Sequence, residues 1–167
     1  MCIKGKDMDR LVRLYDLPPA ESHLKILLKK GVTVRTAMAY EKTQTVAWVR
    51  DKFSAGWADE ASVAFSNLPV SCFIATEKNG IIGFACYEST CRNFFGPIGV
   101  AEHVRGRGIG KALLLSCLHA MAASGYAYAI IGGGDGARKF YAKTVGAIEI
   151  EGSSPGIYPG RLKDKES

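Results

Sequence analysis

The sequence lacks the features that mark membrane and secreted proteins. Its 167 residues are 47% apolar, yet no apolar run approaches the roughly 20 residues that an α-helix needs to span a bilayer. The segment from Met1 to Lys6 has no apolar stretch of the kind that forms a secretory signal. We therefore expect a cytoplasmic protein that makes no contact with a membrane.

Cysteine and histidine are present, but without the spacing of a disulfide framework or a zinc site. The cysteines are odd in number and form no C-x-x-C pair (Cys2, Cys72, Cys86, Cys91 and Cys117). We expect them to be reduced, with Cys72, Cys86 and Cys117 buried as small apolar side chains. A nucleophilic cysteine needs a thiolate-stabilising neighbour, and the sequence places none of the histidines beside one (His23, His103 and His119). We therefore expect no metal site.

A long run of basic residues is also missing. The net charge of +6 is spread along the chain, and no nucleic-acid-binding motif is present. A positive charge of this size admits nucleic acid, an anionic surface or a small polyanion as partner. We expect a phosphate-rich cofactor rather than nucleic acid. A nucleic-acid or anion-binding domain is the distant alternative, and its binding would weaken steeply with salt.

The length and composition are those of one globular domain covering residues 1–167. No repeat, low-complexity block or linker divides the chain. Residues 1–31 are predicted to form a helical N-terminal extension, with helices over Met8–Tyr15 and Ala20–Lys30. The charged residues 160–167 are predicted to form a mobile tail.

Hydrophobic spacing predicts the remaining elements. Apolar residues recur at three- and four-residue steps between Glu41 and Asn67, which predicts a helix interrupted near Gly56. The Asn79-Gly80 pair between two apolar runs predicts a β-hairpin. Strands are predicted at 32–37, 70–76, 81–87, 94–101, 126–131 and 146–151, and further helices at 109–124 and 137–145. This order predicts a mixed α/β sheet with helices packed on its faces.

Three alternating glycines stand where a predicted strand passes into a helix, at Gly106, Gly108 and Gly110. Glycine lets the backbone approach a ligand closely. The first amides of a helix have no partner within it, and the helix dipole favours negative charge there. With Arg105, Arg107 and Lys111 close by, this turn is predicted to bind phosphate.

Two familiar phosphate-binding patterns do not fit this turn. A Walker A loop needs a glycine five residues before Gly110, where Arg105 stands, and a Ser or Thr after the lysine, where Ala112 stands. A dinucleotide fingerprint that starts at Gly106 needs a glycine where Lys111 stands. A purely structural turn is a further alternative, although three glycines and three bases exceed what a turn needs.

A third pattern, [RQ]-x-x-G-x-[GA], is met by Arg105, Gly108 and Gly110, and here the chain resembles the GCN5-related N-acetyltransferase (GNAT) family. The resemblance covers roughly residues 32–150. It extends to A-x-x-F-Y-x-x-x-x-G from Ala137 to Gly146, which has one residue more than the family's pattern before the glycine. It implies a mostly antiparallel central sheet with flanking helices, in which one parallel pair of strands splays apart.

The resemblance also implies a binding site for acetyl-CoA in the gap between strands 94–101 and 126–131. Backbone groups of Ile98 and Val100 would bond the pantetheine amides in the manner of an added strand. The amides of residues 107–111 would hold the diphosphate. The residues of this turn that are predicted to bind the cofactor are Arg105, Gly106, Arg107, Gly108, Ile109, Gly110 and Lys111. Asp135 is predicted to contact the pantetheine in place of a family asparagine, because Gly134 stands at the asparagine position.

The implied reaction is direct attack of a primary amine on the thioester, in a ternary complex with acetyl-CoA. Tyr141 matches the family tyrosine near the coenzyme sulfur and is a candidate proton donor to the departing thiolate. The alternative is a tyrosine that only packs on the sheet. A general base is not fixed by the sequence, and a water chain is as acceptable as any of the candidates Glu88, Glu102, His103 and Asp135.

The acceptor itself has no sequence signature, and it is predicted only as a small-molecule or peptide amine. In this family its pocket is shaped by the N-terminal helices, here residues 41–67, where helical spacing favours a core role for Trp48, Phe53, Trp57 and Phe65. A homodimer is possible by resemblance. The alternative function is an acyl-CoA-binding module without catalysis.

Overall fold

The computed structural model describes residues 8–133 and 135–162, except for the side chain of Asp135. Seven strands form one sheet in the order β2-β3-β4-β5-β6-β1-β7. The strands are β1 Arg10–Arg13, β2 Val32–Thr36, β3 Cys72–Glu77, β4 Gly80–Tyr87, β5 Phe94–Val100, β6 Tyr128–Ile131 and β7 Ile148–Glu149. Neighbouring strands are antiparallel except β5 and β6. The predicted fold class is therefore confirmed.

The described residues also form the α-helices α1 Glu21–Lys29, α2 Lys42–Lys52, α3 Ala55–Ala64, α4 Ile109–Ala123 and α5 Arg138–Val145. Within residues 8–133 and 135–162, each helix is too short or too polar to cross a membrane.

The central helix α4 carries the core. It corresponds to the helix predicted over 109–124, and its apolar side chains Ile109, Leu113, Leu114, Cys117, Leu118 and Met121 are buried. These side chains join one apolar cluster with residues of β1, β4, β5 and β6. Because a close-packed helix cannot shift without opening cavities, its first turn is held firmly at the end of β5.

The predicted hairpin forms between β3 and β4, with Lys78 and Asn79 as its central residues and Gly80 as the first residue of β4. Lys78 and Asn79 have φ angles of 49° and 64°. Positive φ at both central residues is the geometry of the two-residue turn that matches the twist of its strands.

The helix predicted over Met8–Tyr15 is wrong, because Arg10–Arg13 form strand β1 and Leu14–Asp16 a single 3₁₀ turn. β1 lies between β6 and β7 in the sheet. Arg10 is only 1% exposed, and its Nη2 lies 3.8 Å from Oε1 of Glu149 on β7. Pairing with two strands that come more than a hundred residues later therefore overrides the local helix pattern.

The predicted break between the next two helices lies at Phe53 and Ser54, close to Gly56, which is itself inside α3. The Ser54 hydroxyl accepts a hydrogen bond from the Trp57 amide at 3.2 Å. A serine at this position starts a new helix by satisfying one of its free amides.

The three cysteines predicted to be core side chains are buried, and each is a free thiol. Burial raises the pKa of the Cys86 and Cys117 thiols well above the usual value. A thiol held in its neutral form is a poor nucleophile, so these two side chains serve as apolar packing groups.

Candidate active site

Strands β5 and β6 separate soon after they meet. Their parallel pairing covers only Phe94 with Ile130 and Phe95 with Ile131, whereas β5 continues to Val100 along β4. The Ala101 amide donates to the Ile82 carbonyl on the β4 side at 2.8 Å. Since backbone groups alternate along a strand, those of Ile98 and Val100 face the opposite, open edge.

The glycine-rich turn follows directly and leaves a row of amides without backbone partners. The Arg105 amide donates to the Glu102 carbonyl at 3.2 Å, and the Ala112 amide donates to the Gly108 carbonyl at 3.1 Å. Between these two, no amide of residues 106–111 donates a hydrogen bond to the described residues. Gly106 and Gly108 have φ angles of 80° and 84°, a conformation that side chains disfavour.

His23 of α1 supports this turn from behind, a contact that sequence reasoning missed. Its Nε2 donates to the Gly108 carbonyl at 2.8 Å. A Cβ atom added to Gly108 would lie 2.7 Å from Cε1 of the same ring. No local signal marks this histidine, because α1 reaches the turn only through the packing of the whole domain.

The three bases near the turn have different surroundings. The Arg105 Nε donates to the Val100 carbonyl at 3.3 Å, and Lys111 lines a cavity in front of the turn. Arg107 instead donates to both carboxylate oxygens of Glu77 on β3, at 2.7 and 3.3 Å. This ion pair lowers the pKa of Glu77. The side-chain charge of Arg107 is therefore compensated within the protein.

The cavity in front of the turn has a volume of about 660 Å³, and we call it the turn cavity. Among the predicted cofactor and catalytic residues whose side chains are described, all line it except Arg107. The side chain of Asp135 and all of Gly134 lie outside the described residues, so the predicted pantetheine contact from this loop stays a prediction.

A second cavity of about 400 Å³ adjoins the first, and we call it the aromatic cavity. Trp57, Phe94 and Tyr158 contribute to its walls. Trp57, Ile98 and Tyr141 line both cavities. The junction of the two cavities therefore lies where β5 parts from β6.

Tyr141 is held at this junction by aromatic neighbours. Its ring centroid lies 6.2 Å from that of Phe95 and 5.3 Å from that of Phe140. The side chain is only 7% exposed, and burial raises its pKa to about 12. The phenol is therefore protonated at neutral pH and is able to donate a proton.

The candidate bases named from the sequence do not line either cavity as far as they are described. Glu88 closes the loop between β4 and β5, where Oε1 accepts from the Asn93 amide at 2.5 Å and Oε2 from the Tyr126 hydroxyl at 3.0 Å. Glu102 and His103 are exposed. The position of Glu88 thus gives it a structural task.

A carboxylate that the sequence analysis passed over does reach the aromatic cavity. Glu60 on α3 lines it and accepts a hydrogen bond from the Thr90 hydroxyl. Glu60 follows Trp57 by three residues, so the two share one helix face. This three-residue spacing can be seen in the sequence, but the sequence does not show that the shared helix face borders a cavity.

The four aromatic residues of segment 41–67 divide between core and cavity. Trp48 and Phe65 pack within the core cluster around α2 and α3, as the helical spacing predicted. Phe53 and Trp57 line the turn cavity, with ring centroids 5.3 Å apart. The break at Ser54 turns these two rings toward β5.

Gly99 on β5 makes room for this aromatic pair. A Cβ atom at Gly99 would overlap the Phe53 ring, which is packed against Trp48, Trp57 and Phe84. We expect Gly99→Ala to lower the free energy of unfolding by about 1–3 kcal/mol through overpacking, measured by urea denaturation. Gly56→Ala is the control, since its Cβ meets open space. Equal stability of Gly99→Ala and the wild type would contradict this packing.

One known family model matches the part of the chain that forms this site. Residues 69–144 match the family model of the acetyltransferase (GNAT) domain. This stretch contains β3 to β6, the glycine-rich turn, α4 and nearly all of α5. No curated protein matches the sequence.

Solved structures resemble most of the chain. A GCN5-related N-acetyltransferase from Sphaerobacter thermophilus has a TM-score of 0.61 and 20% identity, over 86% of this chain and 48% of that one. One from Kribbella flavida has a TM-score of 0.57 and 17% identity, over 89% and 56%. The GCN5-related glucosamine N-acetyltransferase region of a fungal multi-domain GH3 β-N-acetylglucosaminidase has a TM-score of 0.70 and 15% identity, over 88% and 20%.

This chain therefore spans about a fifth to about half of the length of those proteins. At such low identities the likeness shows the fold. With the family match over residues 69–144, the resemblance inferred from the motifs is confirmed.

Proposed function

We propose, from the match of residues 69–144 to the acetyltransferase (GNAT) domain model, that this protein transfers an acetyl group from acetyl-CoA to a primary amine. One observation carries the proposal. The amides of residues 106–111 have no backbone partner in the described chain, and they stand beside the open edge of β5. Both features border the cavity that Tyr141 lines.

The cofactor binds mainly through backbone atoms in this proposal. The amides of residues 107–111 donate to the diphosphate at the positive end of the α4 dipole. Arg105 and Lys111 add charge at the cavity wall. The pantetheine arm takes the open edge of β5, toward which the backbone groups of Ile98 and Val100 point, in the manner of a strand that awaits a partner. The Val100 carbonyl on this edge accepts a hydrogen bond from the Arg105 side chain.

The transfer then takes place where the two cavities join. The amine nitrogen attacks the thioester carbonyl carbon, so that a C–N bond forms and a tetrahedral oxyanion results. Collapse of this intermediate breaks the C–S bond. Tyr141 donates its hydroxyl proton to the leaving thiolate, and the proton lost by the amine returns to the phenolate. The products are an amide and the free coenzyme thiol.

Thiol release from acetyl-CoA in the presence of a panel of primary amines tests this function. We expect the coenzyme thiol to be released only when a suitable amine is present, in an amount equal to the amide formed. Tight acetyl-CoA binding without thiol release for any amine would instead favour the non-catalytic acyl-CoA-binding module. Homodimer formation and a cytoplasmic location stay predictions.

A further inference from the structure

The two cavities carry opposite charge. Among the described residues, the charged side chains that line the turn cavity are both basic, Arg105 and Lys111. The charged side chain that lines the described aromatic cavity is Glu60. A polyanionic cofactor fits the first arrangement, and a cationic ligand fits the second.

Glu60 has no arginine partner among the described residues, whereas Glu41, Glu77 and Glu149 each pair with one. Asp9 and Glu88 make no described ion pair either, but each accepts a hydrogen bond from a backbone amide. The described hydrogen bond of Glu60 uses Oε1 alone, through the Thr90 hydroxyl, and Glu60 makes no ion pair with the described residues. The carboxylates that do pair with arginine are Glu41 with Arg35, Glu77 with Arg107, and Glu149 with Arg10 and Arg138. Since a partly buried charge is stabilised by pairing, a ligand cation is the natural partner of Glu60.

The rest of the aromatic cavity suits an apolar body. Trp57, Phe94 and Tyr158 supply aromatic faces, and Ile131 and Pro97 add aliphatic surface. Aromatic faces also attract a cation that lies near them. The described lining contains no lysine, arginine or histidine that would bind a carboxylate on the ligand.

We propose that the acceptor is a compact primary monoamine with an aromatic or aliphatic body and no carboxylate, and that Glu60 binds its ammonium group. The bound ammonium loses one proton to solvent before the neutral nitrogen attacks the thioester. This inference rests on the acetyl transfer proposed above. A volume of about 400 Å³ lies near the small end of ligand pockets, roughly 300–1,000 Å³, and suits a small molecule better than a peptide. Tyr141 lines the same cavity, so an amine held by Glu60 lies on the acceptor side of the thioester.

The test uses two amines that differ by one carboxylate, 2-phenylethylamine and phenylalanine. Acetylation of each amine is measured with the wild type, Glu60→Gln and Asp59→Asn. Glutamine keeps the shape of Glu60 but removes its charge. Asp59→Asn removes one charge from the neighbouring residue of α3, whose side chain is 74% exposed. Acetyl-CoA affinity and the melting temperature of each variant establish that its cofactor site and fold are intact.

We expect the wild type to acetylate 2-phenylethylamine with at least tenfold higher kcat/KM than phenylalanine. Loss of a hydrogen bond to a charged group weakens binding by about 10- to 100-fold, so Glu60→Gln should raise the KM for 2-phenylethylamine by that factor. Asp59→Asn should leave it unchanged. Equal use of both amines, or an unchanged KM in Glu60→Gln, would overturn this inference while acetyl transfer stands. Absence of transfer to any amine would overturn the proposed function as well.

Discussion

Gly108→Ala is expected to lower the affinity for acetyl-CoA by about 100-fold. Gly108 has a φ of 84°, a conformation that costs an alanine about 1–2 kcal/mol. Its new Cβ would also lie 2.7 Å from the His23 ring, and relief of such a clash costs about 1–3 kcal/mol more. The turn then moves, and the amides lose their alignment on the diphosphate. Gly108→Asp should bind still more weakly, because it adds a negative charge beside phosphate. Isothermal titration calorimetry measures both losses.

Gly106→Ala separates the cost of the backbone conformation from the cost of the clash with His23. Gly106 has a similar φ of 80°, but a Cβ there meets open space. Its loss of affinity should be near tenfold, since only the backbone cost applies. His23→Ala in the Gly108→Ala background should restore part of the affinity by removing the clash. Wild-type affinity in folded Gly108→Ala would show that this turn does not hold the cofactor.

Tyr141→Phe is expected to lower kcat by about 100-fold, the lower range of general acid catalysis, and to leave acetyl-CoA affinity within about twofold of the wild type. The mutation removes the proton donor and keeps the ring that packs on Phe95 and Phe140. Steady-state kinetics and calorimetry measure the two quantities. Tyr40→Phe is the matched control, since Tyr40 is 82% exposed. An unchanged kcat in Tyr141→Phe would remove Tyr141 from the mechanism.

The same tyrosine sets an expectation for pH. Burial raises its pKa to about 12, and a raised tyrosine pKa means that the protonated form persists to higher pH. The donor is therefore present throughout the range from pH 7 to 10. A loss of wild-type kcat between pH 9 and 10 that is absent in Tyr141→Phe would contradict this assignment.

Elements with strong local signals were predictable. The Asn79-Gly80 turn, the apolar face of α4 and the glycine-rich turn all formed near the expected positions, because each signal acts within a few residues. The resemblance built on that turn then placed the parallel strand pair. These elements make up much of the cofactor side of the site.

The remaining parts depend on contacts between distant segments. No local pattern within Arg10–Arg13 predicts a strand. This segment becomes a strand because it pairs with β6 and β7, which lie in the last third of the chain. His23 and Glu60 have ordinary surroundings in the sequence, and only packing brings them to Gly108 and Thr90. The contact of Glu60 with the aromatic cavity and the contact of His23 with the turn therefore became visible only with the structure, whereas the turn itself was predicted from the sequence.

A crystal structure of the protein soaked with acetyl-CoA shows whether the glycine-rich turn holds the cofactor. We expect diphosphate oxygens about 2.7–3.2 Å from amide nitrogens of residues 107–111, with the thioester beside Tyr141. Acetyl-CoA bound at another place, with the amides of this turn vacant, would contradict this placement.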